Sequence, residues 1–400
     1  MSASSPSPIT LCVNLIVKNE GAIIDRCLTN VADIVTEYAV LDTGSNDDTL
    51  AKLLGFTLLP GVVDTLPFEN FAQARNASLN LATRVTKASH LLLIDADMVF
   101  VVTNKALLFE ILASHPNSIF LITQCHGNLE YVNVRIVPTH SGARYVGVTH
   151  EYLHCDLSKV VIPRTVCYIN DVSDGGCKQD KFERDIRLLS VAFLDELQAT
   201  DRPRYCFYLA QSYRDSGNTV KAAELYAMRA AMQGTWVQEV CASLLALLLM
   251  EIGPSVAVST TVTTPHLSST MVTNEVELRA LSLLGRMEAT GVARPEGYHA
   301  MCSYYSKLGR RADAMKFLTL AYQSVPLPES GVELPLFYDT SISEYMLSYE
   351  ASILFWYMGQ NTWWRMRGKQ LCEELLASPR VPAYVRSIVS FNYESFYKML

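Results

Sequence analysis

From Ile9 to about Lys178, short and nearly uninterrupted apolar runs alternate with stretches of helical period. ITLCVNLIV (9–17), EYAVLDTG (37–44) and HLLLIDADMVFV (90–101) have the pattern of strands buried on both faces of a parallel sheet. Between them Ala22, Ile23, Cys27, Leu28 and Val31 fall on one helical face, and Ala72 to Ala82 form a second candidate helix. Alternating β and α segments predict a Rossmann-like α/β layer with a mostly parallel sheet. In such a sheet ligands bind beyond the carboxyl ends of the strands.

After about Asp180 the strands stop, and long helical stretches rich in Ala, Leu, Tyr and Met take over. Leu209, Ala210, Tyr213, Ala222 and Tyr226 follow the large–small–large spacing of a helix–turn–helix unit of roughly 34 residues, and Tyr298, Tyr305, Ala314, Leu318, Ala321 and Pro326 repeat it. Each copy carries Gly in its turn, at SGN (216–218) and LGR (308–310), where a helix end favours positive φ. Both copies resemble tetratricopeptide repeats, with a weaker third around ILFWYMGQ (353–360) whose Gly359 takes the same role. A Ser/Thr-rich stretch, 253–272, has no helical period and reads as a loop within the array. The expected organisation is a disordered tail over 1–8, an α/β domain over 9–180 and an all-α helical domain over 181–400.

Composition narrows the function classes. The chain has 400 residues, half of them hydrophobic and 18% charged, and a net charge of −7. Residues 1–180 carry 12 basic and 18 acidic side chains, and 181–400 carry 21 and 22. Neither part has the basic excess that neutralises a nucleic-acid backbone, so no nucleic-acid partner is expected. The ten cysteines show no CxxC or zinc spacing and read as buried hydrophobes in a reducing compartment. MSASSPSP is not a signal sequence, and the longest apolar run, CASLLALLLM (241–250), falls short of the about 20 residues of a membrane helix. The sequence thus predicts a cytoplasmic protein without a transmembrane segment.

Chemistry is concentrated at three predicted strand ends. VKNEGAIIDRCL (17–28) places Lys-Asn-Glu after the first strand, a pattern that serves equally as a ligand contact or as a plain strand-to-helix turn with an acidic first helical turn. In LDTGSNDDT (41–49), Gly44 permits a sharp turn, Asp47 or Asp48 can cap the next helix, and Asp42 can accept hydrogen bonds from a ribose or base. In LLLIDADMVF (91–100), strand alternation puts Asp95 and Asp97 on one face. A buried carboxylate pair there is costly without a cation or donors, and hard oxygen ligands suit Mg²⁺ or Mn²⁺. No P-loop, dinucleotide fingerprint or nucleophile elbow is present.

These segments, with FENFAQARNASLNLA (68–82), resemble in order and spacing the family 2 glycosyltransferases of GT-A fold. The helices behind them, YVGVTHEYL (145–153) and DGGCKQDKFERDIRLL (174–189), are similar to a subgroup fused to a tetratricopeptide-like domain. The resemblance implies an inverting, metal-dependent transfer of a sugar from a nucleotide-diphosphate sugar, UDP-linked by preference, to a hydroxyl on a glycan or protein. It places Asp42 at the base, Asp95 at the ribose and, through water, the metal, and Asp97 on Mn²⁺ or Mg²⁺. Arg75 and Asn76 then position the donor. Lys178, Lys181 and Arg184, on a Gly-rich loop running into a helix, can close over the donor diphosphate or serve equally as ordinary solvated charges at a domain junction. Glu151 is the candidate catalytic base, with Glu130 the next carboxylate to consider. His150 is a candidate contact to acceptor or metal. The family's late metal-binding His is missing from YINDVSDGG (168–176), where Asp171 or a water can substitute. Two rival readings are a nucleotidyltransferase, for which VKNEGA makes a poor phosphate loop, and a tetratricopeptide scaffold binding a protein partner behind an inactive domain.

Overall fold

The computed structural model describes residues 8–400 except 128, 177–180, 196–199, 233–235, 258–267, 327–334, 359–361 and 399. The chain divides into two compact units, Met1–Thr219 and Val220–Leu400.

Among the described residues the first unit has eleven strands: β1 (Leu11–Val17), β2 (Glu37–Asp42), β3 (Gly61–Thr65), β4 (His90–Leu93), β5 (Met98–Val102), β6 (Ile119–His126), β7 (Leu129–Pro138), β8 (Arg144–Val146), β9 (Tyr152–His154), β10 (Lys159–Val161) and β11 (Cys167–Asp171). Its helices are α1 (Ile24–Val31), α2 (Thr49–Gly55), α3 (Phe71–Val85), α4 (Lys105–Ser114), α5 (Lys181–Leu194) and α6 (Arg202–Asp215). Nine strands form one sheet in the order β3-β2-β1-β4-β7-β6-β11-β5, with β10 alongside β6, while β8 and β9 pair separately. The β3-β2-β1-β4 run is parallel, and β7 enters antiparallel to both β4 and β6. The expected mostly parallel, Rossmann-like layer is present.

The near-continuous apolar strands are explained by cores on both faces. Leu11, Val13, Leu15 and Val17 of β1 pack in one core with Ile24, Cys27, Leu28 and Val31 of α1, while Cys12 faces a second core with Leu79 and Ala82 of α3. The polar exception in β1, buried Asn14, donates from Nδ2 to Ala39 O at 3.0 Å, Ser78 O at 3.1 Å and Ser78 Oγ at 2.8 Å, pinning α3 onto the sheet.

The run 90–101 is not one strand. β4 stops at Leu93, a turn closed by Met98 N donating to Asp95 O at 3.1 Å follows, and β5 starts at Met98 on the far edge of the sheet. Asp95 and Asp97 therefore sit in a turn and not on one strand face. The apolar period continues unbroken across two strands, so only the polar pair marked the break.

The second unit contains α7 (Thr219–Ala231), α8 (Val237–Ala257), α9 (Ser268–Glu288), α10 (Pro295–Lys307), α11 (Arg311–Gln323), α12 (Leu347–Tyr357), α13 (Thr362–Ala377) and α14 (Ala383–Asn392). Tyr305, Ala314, Leu318 and Ala321 are buried at the repeat positions, and both turn glycines take positive φ, Gly217 at +86° and Gly309 at +75°. Gly359 lies outside the described residues. Of the loop expected at 253–272, residues 253–257 belong to α8 and 268–272 to α9, and 258–267 lie outside the described residues. Arg229 and Glu239, both fully buried, pair at 3.2 Å. Helices α5 and α6, beyond the point where strands stop, fall in the first unit and not in the helical array. Among the described residues no helix is long and apolar enough to cross a membrane.

Candidate active site

The carboxyl ends of β1, β2 and β4 lie side by side, with Val17 paired to Asp42 and Asn14 to Leu93. After β2 the chain turns at Gly44, whose φ of +104° a side chain would oppose. Buried Asp42 holds this turn: its carboxylate accepts from Gly44 N at 3.1 Å, from Ser45 N at 3.0 Å and from Ser45 Oγ. Asn19, at φ +57°, zips the β1 turn to it by accepting from Asn46 N at 2.8 Å. Asp47 takes the helix-capping role at α2, accepting from Thr49 N and from Gly21 N, each at 3.0 Å.

Arg75 of α3 joins two of the predicted carboxylates. Its Nη2 donates to Asp95 Oδ1 at 2.7 Å and its Nε to Glu151 Oε1. Burial disfavours the charge on Arg75, but Asp95 and Glu151 outweigh it and raise its pKa well above the ordinary guanidinium value. Burial likewise pushes Asp95 up, and Arg75 with Arg135 reverses this, leaving Asp95 below the usual carboxylate range. Arg135, nearly buried on β7, places Nη1 3.9 Å from Asp95 Oδ2. Tyr145 lies under Arg75, its ring centroid 5.5 Å from the guanidinium carbon.

Asn76 is committed to the backbone, donating to Tyr145 O at 2.9 Å and accepting from Tyr145 N at 2.8 Å. It orders β8, and both its polar atoms are engaged there in place of the expected donor contact.

Glu20 and Asp97 form a second acidic corner. The segment after β11 crosses them: Gly176 N donates to Glu20 Oε2 at 3.0 Å, and a Cβ on Gly175 would come within 3.1 Å of Glu20 Oε1 and 3.3 Å of Asp97 Oδ2. A Cβ on Gly176 would lie 1.9 Å from Asn19 O, so only glycine fits. Arg26 forks onto Asp174 at 2.6 and 2.7 Å and fixes this segment to α1. Burial raises the Glu20 pKa; the Gly176 N–H lowers it, while Asp97, Asp95 and Asp47 add to the rise.

Asp171 ends β11 opposite Met98, accepting from Gln124 Nε2 at 3.2 Å and Ser173 Oγ at 2.9 Å. Glu130 pairs with Arg164 at 3.3 Å, away from this network. Lys178 lies outside the described residues; Lys181 starts α5, and Arg184 lies over the Phe71 ring at 5.1 Å. His150, at φ +48°, stacks on Tyr208 of α6 with centroids 4.1 Å apart. Burial, with Lys181 and Arg204 nearby, pushes its pKa down to about 3, so the ring is neutral and turned to packing. Arg204 Nη2 donates to His150 O at 2.9 Å, and α6 thereby supports the turn that carries Glu151.

The structure thus joins Arg75, Asp95 and Glu151 directly, with Asp97 in the same turn as Asp95 and beside Glu20. Among the described residues no three His, Cys, Asp or Glu side chains stand preassembled as a metal site. The donor set nonetheless fits a hard cation: Glu20 and Asp97 approach one glycine, and the mutual repulsion felt at Glu20 is what a divalent ion relieves. Sequence reasoning left Glu20, in the Lys-Asn-Glu segment, between a ligand contact and a plain turn, and missed Arg135, Gln124, Tyr145 and Tyr208. The one available signal was Arg135, a charge inside the strand-like YVNVRIVP.

Residues 12–143 match the family model for glycosyl transferase family 2. A TPR repeat-containing protein of Synechococcus elongatus is 38% identical over 91 residues, 22% of this chain, and the match spans about a fifth (20%) of that relative's length. Among solved structures, S. aureus TarS 1-349 in complex with UDP is similar at 13% identity and TM-score 0.33, covering 60% of this chain and 81% of that one. GalNAc-T7 with UDP, GalNAc and Mn²⁺ is similar at 19% identity and TM-score 0.25, covering 40% and 31%. Residues 12–143 of the chain thus carry a glycosyl transferase family 2 domain, and a helical unit follows it in sequence.

Proposed function

We propose that the chain is an inverting, metal-dependent glycosyltransferase that moves a sugar from a nucleotide-diphosphate sugar, UDP-linked by preference, to a hydroxyl of a glycan or protein. What supports this reading is the Arg75 bridge: one guanidinium holds both Asp95 and Glu151, the carboxylates this reading assigns to donor and to acceptor.

On this reading Asp42 and Asp95 receive the nucleoside at the strand ends. Asp97, with Asp95 through water and Glu20 beside them, would hold Mn²⁺ or Mg²⁺, which when bound neutralises charge growing on the diphosphate. Glu151 accepts the proton of the acceptor hydroxyl as that oxygen attacks the anomeric carbon from the face opposite the leaving group, giving inversion. Arg75 fixes the direction of the Glu151 carboxylate, and Asp171 stands at the end of β11 next to the Asp97 turn. His150 stays neutral and shapes the acceptor side by packing on Tyr208.

Thermal unfolding with Mn²⁺ and a panel of nucleotides tests the reading, because a ligand that binds only the native state raises its apparent stability. A Mn²⁺-dependent shift with UDP or GDP, lost in Asp97→Ala while the ligand-free transition stays in place, is expected. No shift with any nucleotide would favour a protein-binding scaffold.

A further inference from the structure

We propose that Arg135 is a positioning residue that aims Asp95 and Asp171 toward the bound donor, an inference that rests on the glycosyltransferase reading above. Arg135 sits where the β6–β7 register breaks: Phe120 pairs with Ile136 and Leu121 with Val134, so Arg135 is the extra residue of a β-bulge. Bulges beside active sites re-aim a side chain that regular pleating would send elsewhere.

The side chain is 8% exposed, and burying a guanidinium is costly unless it is paired. Its pairing is unusual for a purely structural cation. Nη2 donates to Gln124 Oε1 at 2.6 Å and Nη1 to Leu93 O at 3.3 Å, while buried Nε has no partner among the described residues. Asp95 Oδ2 lies 3.9 Å from Nη1, beyond hydrogen-bond reach. Arg135 therefore supplies field to Asp95 without occupying Oδ2, whereas Arg75 grips Oδ1. Oδ2 keeps its lone pairs for a ligand.

The second branch runs through Gln124. An amide side chain has one accepting and one donating end. With Oε1 committed to Arg135, Nε2 must point to Asp171, to which it donates at 3.2 Å. One buried cation on β7 thus sets carboxylates at the ends of two other strands, and its removal frees the Gln124 amide to turn over.

The test measures UDP affinity in the presence of Mn²⁺ by calorimetry on the full chain, for the parent, Arg135→Met, Arg135→Lys, Asp95→Asn and the double variant Asp95→Asn/Arg135→Met. Arg135→Met should weaken binding at least about tenfold, and Arg135→Lys should recover part of the loss by restoring charge near Oδ2. In the Asp95→Asn background the same change should cost less than about threefold, since coupled residues are not additive. Binding by Arg135→Met within about twofold of the parent, or effects that multiply in the double variant, overturns the proposal. Should Arg135→Met fail to fold, Gln124→Met carries the test, with the same weakening expected and parent-like affinity overturning the Gln124 branch; full recovery by Arg135→Lys would then restrict the role to charge alone and overturn the two-carboxylate claim. A parent that binds neither UDP nor GDP with Mn²⁺ defeats the donor reading itself, which separates the two failures.

Discussion

Replacing Arg75 with Met removes the tie between Asp95 and Glu151 while keeping much of the side-chain volume. Two charge-assisted hydrogen bonds go, one to Asp95 at 2.7 Å and one to Glu151, between side chains 15%, 28% and 11% exposed. Unit charges about 4 Å apart at an effective dielectric near 20 attract by about 4 kcal/mol before desolvation. Breaking a buried pair from one side costs about 3–5 kcal/mol, because the partners stay behind uncompensated. Partial exposure and the residual field of Arg135 put Arg75→Met at the low end, about 3 kcal/mol. For a unit ending at Thr219 this corresponds to a drop of roughly 6–12 °C in its transition, measured by scanning calorimetry of the full chain.

The pH dependence gives a sharper check. Asp95 has a folded pKa below its unfolded value, so its contribution is present above the unfolded carboxylate pKa of about 4 and is lost as pH falls through the lower folded value. In Arg75→Met burial acts on Asp95 with only Arg135 in opposition, and protonation then relieves the variant. The gap between parent and variant should be widest at pH 7 and close below about pH 4. A deficit under about 1 kcal/mol at pH 7, or a gap unchanged down to pH 3, would refute the tie.

Other perturbations separate the parts of the site. Glu151→Gln should lower kcat by about a hundredfold or more while leaving UDP affinity near the parent value; unchanged turnover would move the base to another group. Gly176→Ala forces a Cβ to 1.9 Å from Asn19 O, a backbone atom that cannot swing aside, so the segment 172–176 should lift and be cut faster in limited proteolysis; parent-like cleavage would contradict the observed fit. His150→Phe keeps an aromatic ring against Tyr208 and removes a group whose pKa lies near 3, so the pH profile of turnover between 5 and 8 should keep its shape. An acid limb near pH 6 that disappears in this variant would show that the ring titrates there.

Which parts of the fold were readable follows from how local their causes are. β1 and β2 announced themselves because both faces of each strand meet a core, so the apolar run and the strand nearly coincide. The turn glycines of the helical repeats were readable because a helix end needs positive φ within a few residues of the repeat positions. The run 90–101 misled because apolar content reports burial and not connectivity: β4 is fully buried and β5 partly so, although they occupy distant places in the sheet. The Ser/Thr-rich stretch from Gly253 read as a loop for want of a helical period, yet α8 continues to Ala257, showing that a few residues without that period do not by themselves end a helix.

The site divides along the same line. The place of Asp42 at a strand end was legible because it is a local feature, whereas the strand-face reading of Asp95 and Asp97 failed because the turn between β4 and β5 was not visible in the apolar pattern. The Arg75–Glu151 pair spans 76 positions, and only the placement of β8 and β9 against α3 creates it. Asn76 illustrates the difference: its polarity was visible, but its two bonds to Tyr145 show that it builds the platform that brings Glu151 to Arg75. Arg135 depends on a bulge, a register and a glutamine on another strand, none of which one strand's sequence encodes. Residues that touch a ligand can be guessed from their chemical type and their place at a strand end. Residues that would aim them are fixed by long-range pairing, and here partly exposed Arg75 with buried Gln124 and Arg135 connects Glu151 to Asp171 through Asp95.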